Sequence, residues 1–167
     1  MTTTTIHIKP YTAPYQKPVI DLILGIQQGE FGVPITLLDQ PDLLTIETFY
    51  QAKRGGFWCA LTESGQVIGT ISLIDVGEEF GTIRKMFVHA DYRGQALGVA
   101  TLLLQTLETH ATEAGMQTLY LGTLDYLAAA QRFYARNGYT PLDLSDLPDT
   151  FPRMQLDNRF FGKHLPT

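Results

Sequence analysis

Cysteine is almost missing from this chain. Cys59 stands alone, which excludes an internal disulfide and suits a reducing cytoplasm. Within "FWCAL" it reads as a buried strand residue rather than a reactive thiol. Long apolar runs are missing too, none approaching the ~20 residues of a membrane-spanning helix. The opening "MTTTTIHIKPY" lacks the basic-then-apolar layout of a signal peptide. These absences lead us to expect a cytoplasmic protein with no membrane partner. Basic charge is in deficit, with 12 basic against 17 acidic side chains and a net charge of -5. That balance argues against a nucleic-acid surface and favours cationic small molecules. There is no internal repeat, and "TTTT" is a short polar tail.

What is present is ordinary globular material. The 167 residues are 44% hydrophobic and 17% charged, enough for one domain spanning 1–167 with a core of its own. Alternation at Ile6–Ile8 predicts a first strand ended by Pro10. Val19, Leu22, Ile23 and Ile26 fall at helical spacing, before "GEFGVPIT" breaks the pattern. Pro41 and Asp42 open a second expected helix, "DLLTIETFYQAK", closed by Gly55-Gly56. "FWCALTE" and "QVIGTISLI" form a hairpin about Ser64-Gly65, and "GTIRKMFVHA" follows as a third strand of that run. A stripe of Leu97, Ala100, Leu103, Leu104, Leu107, Ala111 and Ala114 predicts a helix stopped by Gly115. "MQTLYLGT" is a strand, Leu127 to Asn137 a helix, "YTPLDL" a strand start, and "RMQLDNRFFGKHL" a last strand. The expected order is β, α, α, β, β, β, α, β, α, β, β, a mixed α/β chain.

The turn "YRGQALGVA" before the long helix is unusually bare. Small residues at Gly94, Ala96, Gly98 and Ala100 would let a pyrophosphate reach the unpaired N–H groups of the helix N-terminus, with Arg93 adding a formal charge. A tight turn whose small residues serve packing alone fits the same letters. A P-loop is excluded, because Gly98 is followed by Val99-Ala100 instead of Lys-Ser/Thr. A dinucleotide fingerprint is excluded because only two glycines are present.

"IRKMFVHADYRGQALGVATLLLQTLE" followed by "LYLGTLDYLAAAQRFYARNGY" resembles the coenzyme A core of the GNAT N-acetyltransferase superfamily. Members share Arg/Gln-x-x-Gly-x-Gly/Ala opening the central helix. Here it fits Arg93-x-x-Ala96-x-Gly98, with Ala where Gly is usual, or Gln95-x-x-Gly98-x-Ala100. The first register puts the leucines where the family's helix has them. A later aromatic-Tyr-x-x-x-Gly-aromatic pattern is matched by Phe133, Tyr134, Gly138 and Tyr139. The resemblance implies a GNAT-type mixed, centrally splayed β-sheet flanked by helices. It implies acetyl-CoA as cosubstrate, with no metal. Its pantetheine arm would bind the main chain of Met86, Phe87 and Val88, and its pyrophosphate the turn Arg93, Gly94, Gln95, Ala96, Leu97, Gly98, Val99 and Ala100. Leu127 stands where relatives often carry Asn reaching toward the pantetheine.

Direct attack of an amine on a thioester needs a base, an oxyanion donor and an acid for the leaving thiolate, but no enzyme nucleophile. The resemblance places Tyr134 beside the sulfur. With a reference pKa of about 10, it can hold a proton at neutral pH and give it to a thiolate. The Val88 N–H is the expected oxyanion donor. Some relatives carry a Glu on the central strand where this chain has Thr82, which cannot act as base. Glu79, with Glu78 beside it, is one candidate acting through water, and His89 is another. Glu30, Phe31, Phe49, Tyr50 and Phe160 are candidate acceptor contacts. The expected function is acetylation of a primary amine, with a small molecule as the acceptor partner and a homodimer left open. A non-catalytic acyl-CoA-binding module and a protein or peptide N-acetyltransferase are the alternatives.

Overall fold

The computed structural model describes residues 5–94 and 96–166. The elements run β1 (Ile6–Pro10), α1 (Gln16–Leu24), α2 (Ile46–Phe49), β2 (Gly56–Thr62), β3 (Val67–Asp75), β4 (Phe80–Val88), α3 (Val99–Glu113), β5 (Thr118–Thr123), α4 (Ala128–Arg136), β6 (Thr140–Leu142) and β7 (Arg159–His164). That is the expected order. One mixed sheet holds all seven strands in the order β1-β2-β3-β4-β5-β7-β6. The single parallel pair is β4 with β5, the two strands that α3 connects, as a crossover requires.

Two apolar layers hold the sheet. On one face Val99, Leu103, Leu104, Leu107 and Ala111 of α3 pack on Ile71, Leu73, Ile83, Leu119 and Leu121, with Tyr134 and Phe161 joining them. On the other face Val19 and Ile23 of α1 meet Leu43, Ile46, Tyr50, Phe57, Cys59, Leu61 and Ile74. Strands β2 and β3 are therefore covered on both sides, which is why they read as near-continuous apolar runs rather than alternations. Each fully buried leucine or isoleucine contributes roughly 1.5–3 kcal/mol. Burial lifts the Cys59 thiol to about 12, so it stays protonated and inert.

The second helix is much shorter than its pattern suggests. A single 3-10 turn, Pro41–Leu44, precedes the four residues of α2. Thr45 between them leaves the helical region (φ -137°, ψ 43°). The break lets Asp42 turn inward, where the Tyr50 hydroxyl donates to it at 2.5 Å. The last strand is also shorter than expected, starting only at Arg159, so residues 153–158 form a loop.

Strand β4 carries one residue too many for its partner. Thr70 pairs with Phe87 and Ser72 with Arg84, so two steps on β3 face three on β4. Lys85 takes up the extra residue in the left-handed region, φ 55°. The hydroxyls of Thr70 and Ser72 donate to the carbonyls of Lys85 and Arg84, each at 2.7 Å. Behind the bulge, the buried Lys85 ammonium donates to Gln40 at 2.5 Å and lies 3.6 Å from Asp42. A bulge bends and over-twists its strand, and β4 pairs with β5 only from Phe80 to Ile83. Past Ile83 the two strands diverge, and the sheet opens at its centre.

Candidate active site

The gap between β4 and β5 is lined by main chain. His89 donates to the Ile68 carbonyl at 2.8 Å, and the Phe87 carbonyl lies against Gly69 on β3. Alternation along the strand therefore turns the peptide groups of Met86 and Val88 away from β3, into the gap. Of the three residues expected to meet the pantetheine, Phe87 is directed to its neighbouring strand instead. The Val88 carbonyl accepts from Arg93 Nε at 2.8 Å.

Beyond β4 the chain turns through Ala90–Tyr92, capped by the His89 ring, which accepts the Asp91 N–H at 3.1 Å. That capping role fixes His89 at the turn. Gly94 (φ 107°) and Gly98 (φ 63°) both stand in the left-handed region, which explains two glycines at these spots. Gly98 is the N-cap of α3 and offers no side chain to the helix. Among the described residues no side chain caps the first N–H groups of this fifteen-residue helix, an anion-binding geometry. Val99 itself is buried in the core, and Leu97 packs against that core, so only their main chains can serve a ligand. Ala96 is exposed and Ala100 partly buried. Gln95 lies outside the described residues. The Arg93 guanidinium is held in a two-pronged ion pair with Glu30 and sits 5.8 Å over the Phe31 ring.

Tyr134 projects from α4 into the α3 face of the sheet, packed edge-on against Tyr139 and tilted on Phe161. No protein group among the described residues hydrogen-bonds its hydroxyl. Burial first, and then the charge of Asp157, hold its pKa above the ordinary tyrosine value. Leu127 is the N-cap of α4, without a side-chain cap. Gln131 performs the holding role nearby, donating to the carbonyls of Leu124 and Asp125 at 3.1 and 3.0 Å.

The structure does not bring Glu79 to the gap. Glu79 precedes β4, and its carbonyl accepts the Gln117 N–H at 2.6 Å. Glu78 and Glu79 border a depression of about 490 Å³ with Tyr120 and Asp149, at the opposite end of β4 and β5. Five residues of strand, about 16 Å at some 3.3 Å each, separate Glu79 from Arg84. Thr82 is buried, and its hydroxyl has no partner among the described residues. Of the candidate acceptor contacts, Tyr50 is fully buried and bound to Asp42, whereas Phe31 and Phe49 are exposed. Phe160 is buried on the face away from α3, with Arg153 5.6 Å over its ring.

One carboxylate missed by the sequence reading lies against β5 just past its last pairing with β4. Asp157 lies in the loop before β7, half-buried. A Cβ built on Gly122 would meet its Oδ2 at 2.5 Å. Gly122 is one residue past the last β5 position that pairs with β4, so Asp157 sits where the strands part. No hydrogen bond reaches its carboxylate among the described residues. Desolvation lifts its pKa to about 6, against the opposing charges of Arg84, Arg153 and Lys85. Arg84 bends toward the same loop and donates to the Pro152 carbonyl.

The frame of the site is thus a mixed sheet opened between β4 and β5, with the N-terminus of α3 beyond the fourth strand. The chain matches the acetyltransferase (GNAT) family model over residues 22–139, and it belongs to that family. It is similar to the aminoalkylphosphonate N-acetyltransferase of Salmonella typhimurium, 34% identical over 113 residues, covering 59% of this chain and 72% of that protein. The solved structure of a GNAT-family acetyltransferase from Staphylococcus aureus superposes with a TM-score of 0.93 at 37% identity, covering 97% of this chain and 100% of that one. An N-acetyltransferase from Thermoplasma acidophilum, solved in complex with coenzyme A, shares the fold with a TM-score of 0.72 at 14% identity, over 96% and 99% of the two chains. Among the described residues no helix is long and apolar enough to cross a membrane.

Proposed function

We propose that the chain is an acetyl-CoA-dependent N-acetyltransferase acting on the primary amine of a small molecule. The observation that carries this reading is the divergence of β4 from β5 after Ile83, opposite the uncapped N-terminus of α3. The two features suit the two ends of one ligand. A pantetheine arm fits main-chain groups of Met86 and Val88, and a pyrophosphate fits the N–H groups after Gly98, with Arg93 to neutralise it. When bound, acetyl-CoA supplies the activated acyl group. The protein positions it, donates the Val88 N–H to the developing oxyanion, and protonates the leaving thiolate from Tyr134.

A small acceptor is supported by the tie between β4 and the loop 148–158, where Arg84 donates to the Pro152 carbonyl. The relative from Salmonella is named for a small amine-bearing acceptor, an aminoalkylphosphonate. The hydroxyl of the buried Tyr134 bonds to no described group and is open to a ligand, which supports the catalytic reading over the non-catalytic module.

The test is a panel of amines assayed for free CoA release. It should hold aminoalkylphosphonates, amino acids, polyamines and a peptide with a free N-terminus. Turnover of a small amine, with the acetylated product seen by mass spectrometry, is the expected result. Preferred turnover of the peptide would move the assignment to protein acceptors. Acetyl-CoA binding without turnover of any amine would support the non-catalytic module.

A further inference from the structure

We propose that Asp157 is the general base that takes the proton from the acceptor ammonium. The proposal rests on the acetyltransferase reading above and names the residue that reading leaves open. Three geometric facts point to it. Its Oδ2 lies against the main chain of Gly122, at the first β5 residue freed by the opening of the sheet. By strand alternation Gly122 shares its face with Tyr120 and, across the ladder, with Phe160, the face away from α3. Tyr134 belongs to the α3 face. The carboxylate and the phenol therefore flank the gap from its two sides, which suits an amine attacking from one side and a thiolate leaving on the other. Finally, no donor among the described residues hydrogen-bonds the half-buried carboxylate, which leaves its oxygens open to a ligand.

The charged groups facing Asp157 come from three elements. Arg84 and Lys85 lie on β4, Arg153 on its own loop, and Tyr134 on α4. Lys85 is already paired with Asp42. Arg84 and Arg153 keep the carboxylate ionised enough to work near neutrality, while burial raises its basicity toward that of a useful base.

The step balances as follows. An N–H bond of the ammonium breaks and an O–H bond forms on Asp157. The freed nitrogen lone pair makes the C–N bond to the thioester carbonyl carbon, and the C–S bond breaks. The thiolate takes the Tyr134 proton, Tyr134 regains one from the acylated nitrogen, and Asp157 releases its proton to water.

Two measurements on the full chain test this. In the first, carboxyl-labelled aspartate is titrated by NMR in the wild type. Asp157 should titrate near pH 6, and an ordinary carboxylate midpoint near 4 would overturn the proposal. In the second, Asp157→Asn and wild type are compared with aminomethylphosphonate and with the fastest amine of the panel. The variant should lose about 10²–10⁴-fold in kcat/KM with acetyl-CoA affinity retained. The wild-type profile should fall below about pH 6, and the residual profile of the variant should lack that limb. Wild-type turnover that survives in Asp157→Asn overturns the proposal alone. If the wild type acetylates no amine, the acetyltransferase reading falls, and this proposal with it.

Discussion

The carboxylate of Asp157 occupies the space that a side chain on Gly122 would fill, with Oδ2 2.5 Å from the ideal Cβ position. The glycine is kept by this approach, since its backbone is not in the left-handed region. Gly122→Ala must displace Asp157. Turnover should fall by up to about 10²-fold through misplacement alone, with the fold and acetyl-CoA affinity intact. Steady-state assay and calorimetry check this, and unchanged turnover would separate Asp157 from the chemistry.

Asp157 should also cost the protein stability. Its folded pKa of about 6 lies above the unfolded value of about 3.9. Folding therefore favours the protonated form, and that contribution is complete below about pH 4 and lost as pH rises through about 6. At pH 7 Asp157→Asn should stabilise the fold by on the order of 1–2 kcal/mol once solvent screening is allowed for, seen as a higher Tm. The gain should vanish near pH 4. Thermal melts across that range decide it, and a variant less stable at pH 7 would contradict the account.

The Arg93–Glu30 pair sets a competition at the turn proposed to take the pyrophosphate. Arg93 holds the Glu30 carboxyl below the usual range, chiefly by hydrogen bonding. A half-exposed pair of this kind is worth about 0–1 kcal/mol, so Glu30→Gln should tighten acetyl-CoA by up to about fivefold. Arg93→Gln should weaken it and flatten its dependence on salt. Calorimetry at two ionic strengths is the check, and an Arg93 variant with wild-type affinity would remove it from the turn.

The buried group behind the bulge should be intolerant of single changes. Asp42→Asn leaves the Lys85 ammonium, whose pKa burial already lowers, without its countercharge. Loss of one partner of a buried pair costs about 3–5 kcal/mol. Urea denaturation should show that loss, and the bulge it supports should loosen. A variant as stable as wild type would mean that the network is dispensable.

Much of this architecture was legible because its signals are local. The leucine stripe of α3, the paired glycines of the turn and the Phe133–Tyr139 motif each identify themselves within a few residues. What was hidden depends on contacts between distant parts of the chain. The bulge at Lys85 is announced only by Thr70 and Ser72, two hydroxyls in an otherwise apolar strand, whose partners lie 15 and 12 residues away. Asp42 reads as an N-terminal helix residue until Tyr50 and Lys85 draw it inward. Asp157 was masked by alternation in "MQLDNRFF", which extends the strand pattern back over the loop and makes the aspartate look like a solvent-facing position. Glu79 reads as closer to the opening than it lies, because spacing along β4 does not reveal where the strands part.

The central claim is acyl transfer in the gap, with Tyr134 as the acid. Tyr134→Phe keeps the ring packing against Tyr139 and Phe161 and removes only the hydroxyl. The most direct measurement is CoA release by this variant with the best amine, paired with acetyl-CoA titration of both proteins. Turnover should fall by about 10²–10⁴-fold while affinity is unchanged. Equal turnover in the two proteins would contradict the account, and an equal loss of binding would make Tyr134 a packing residue.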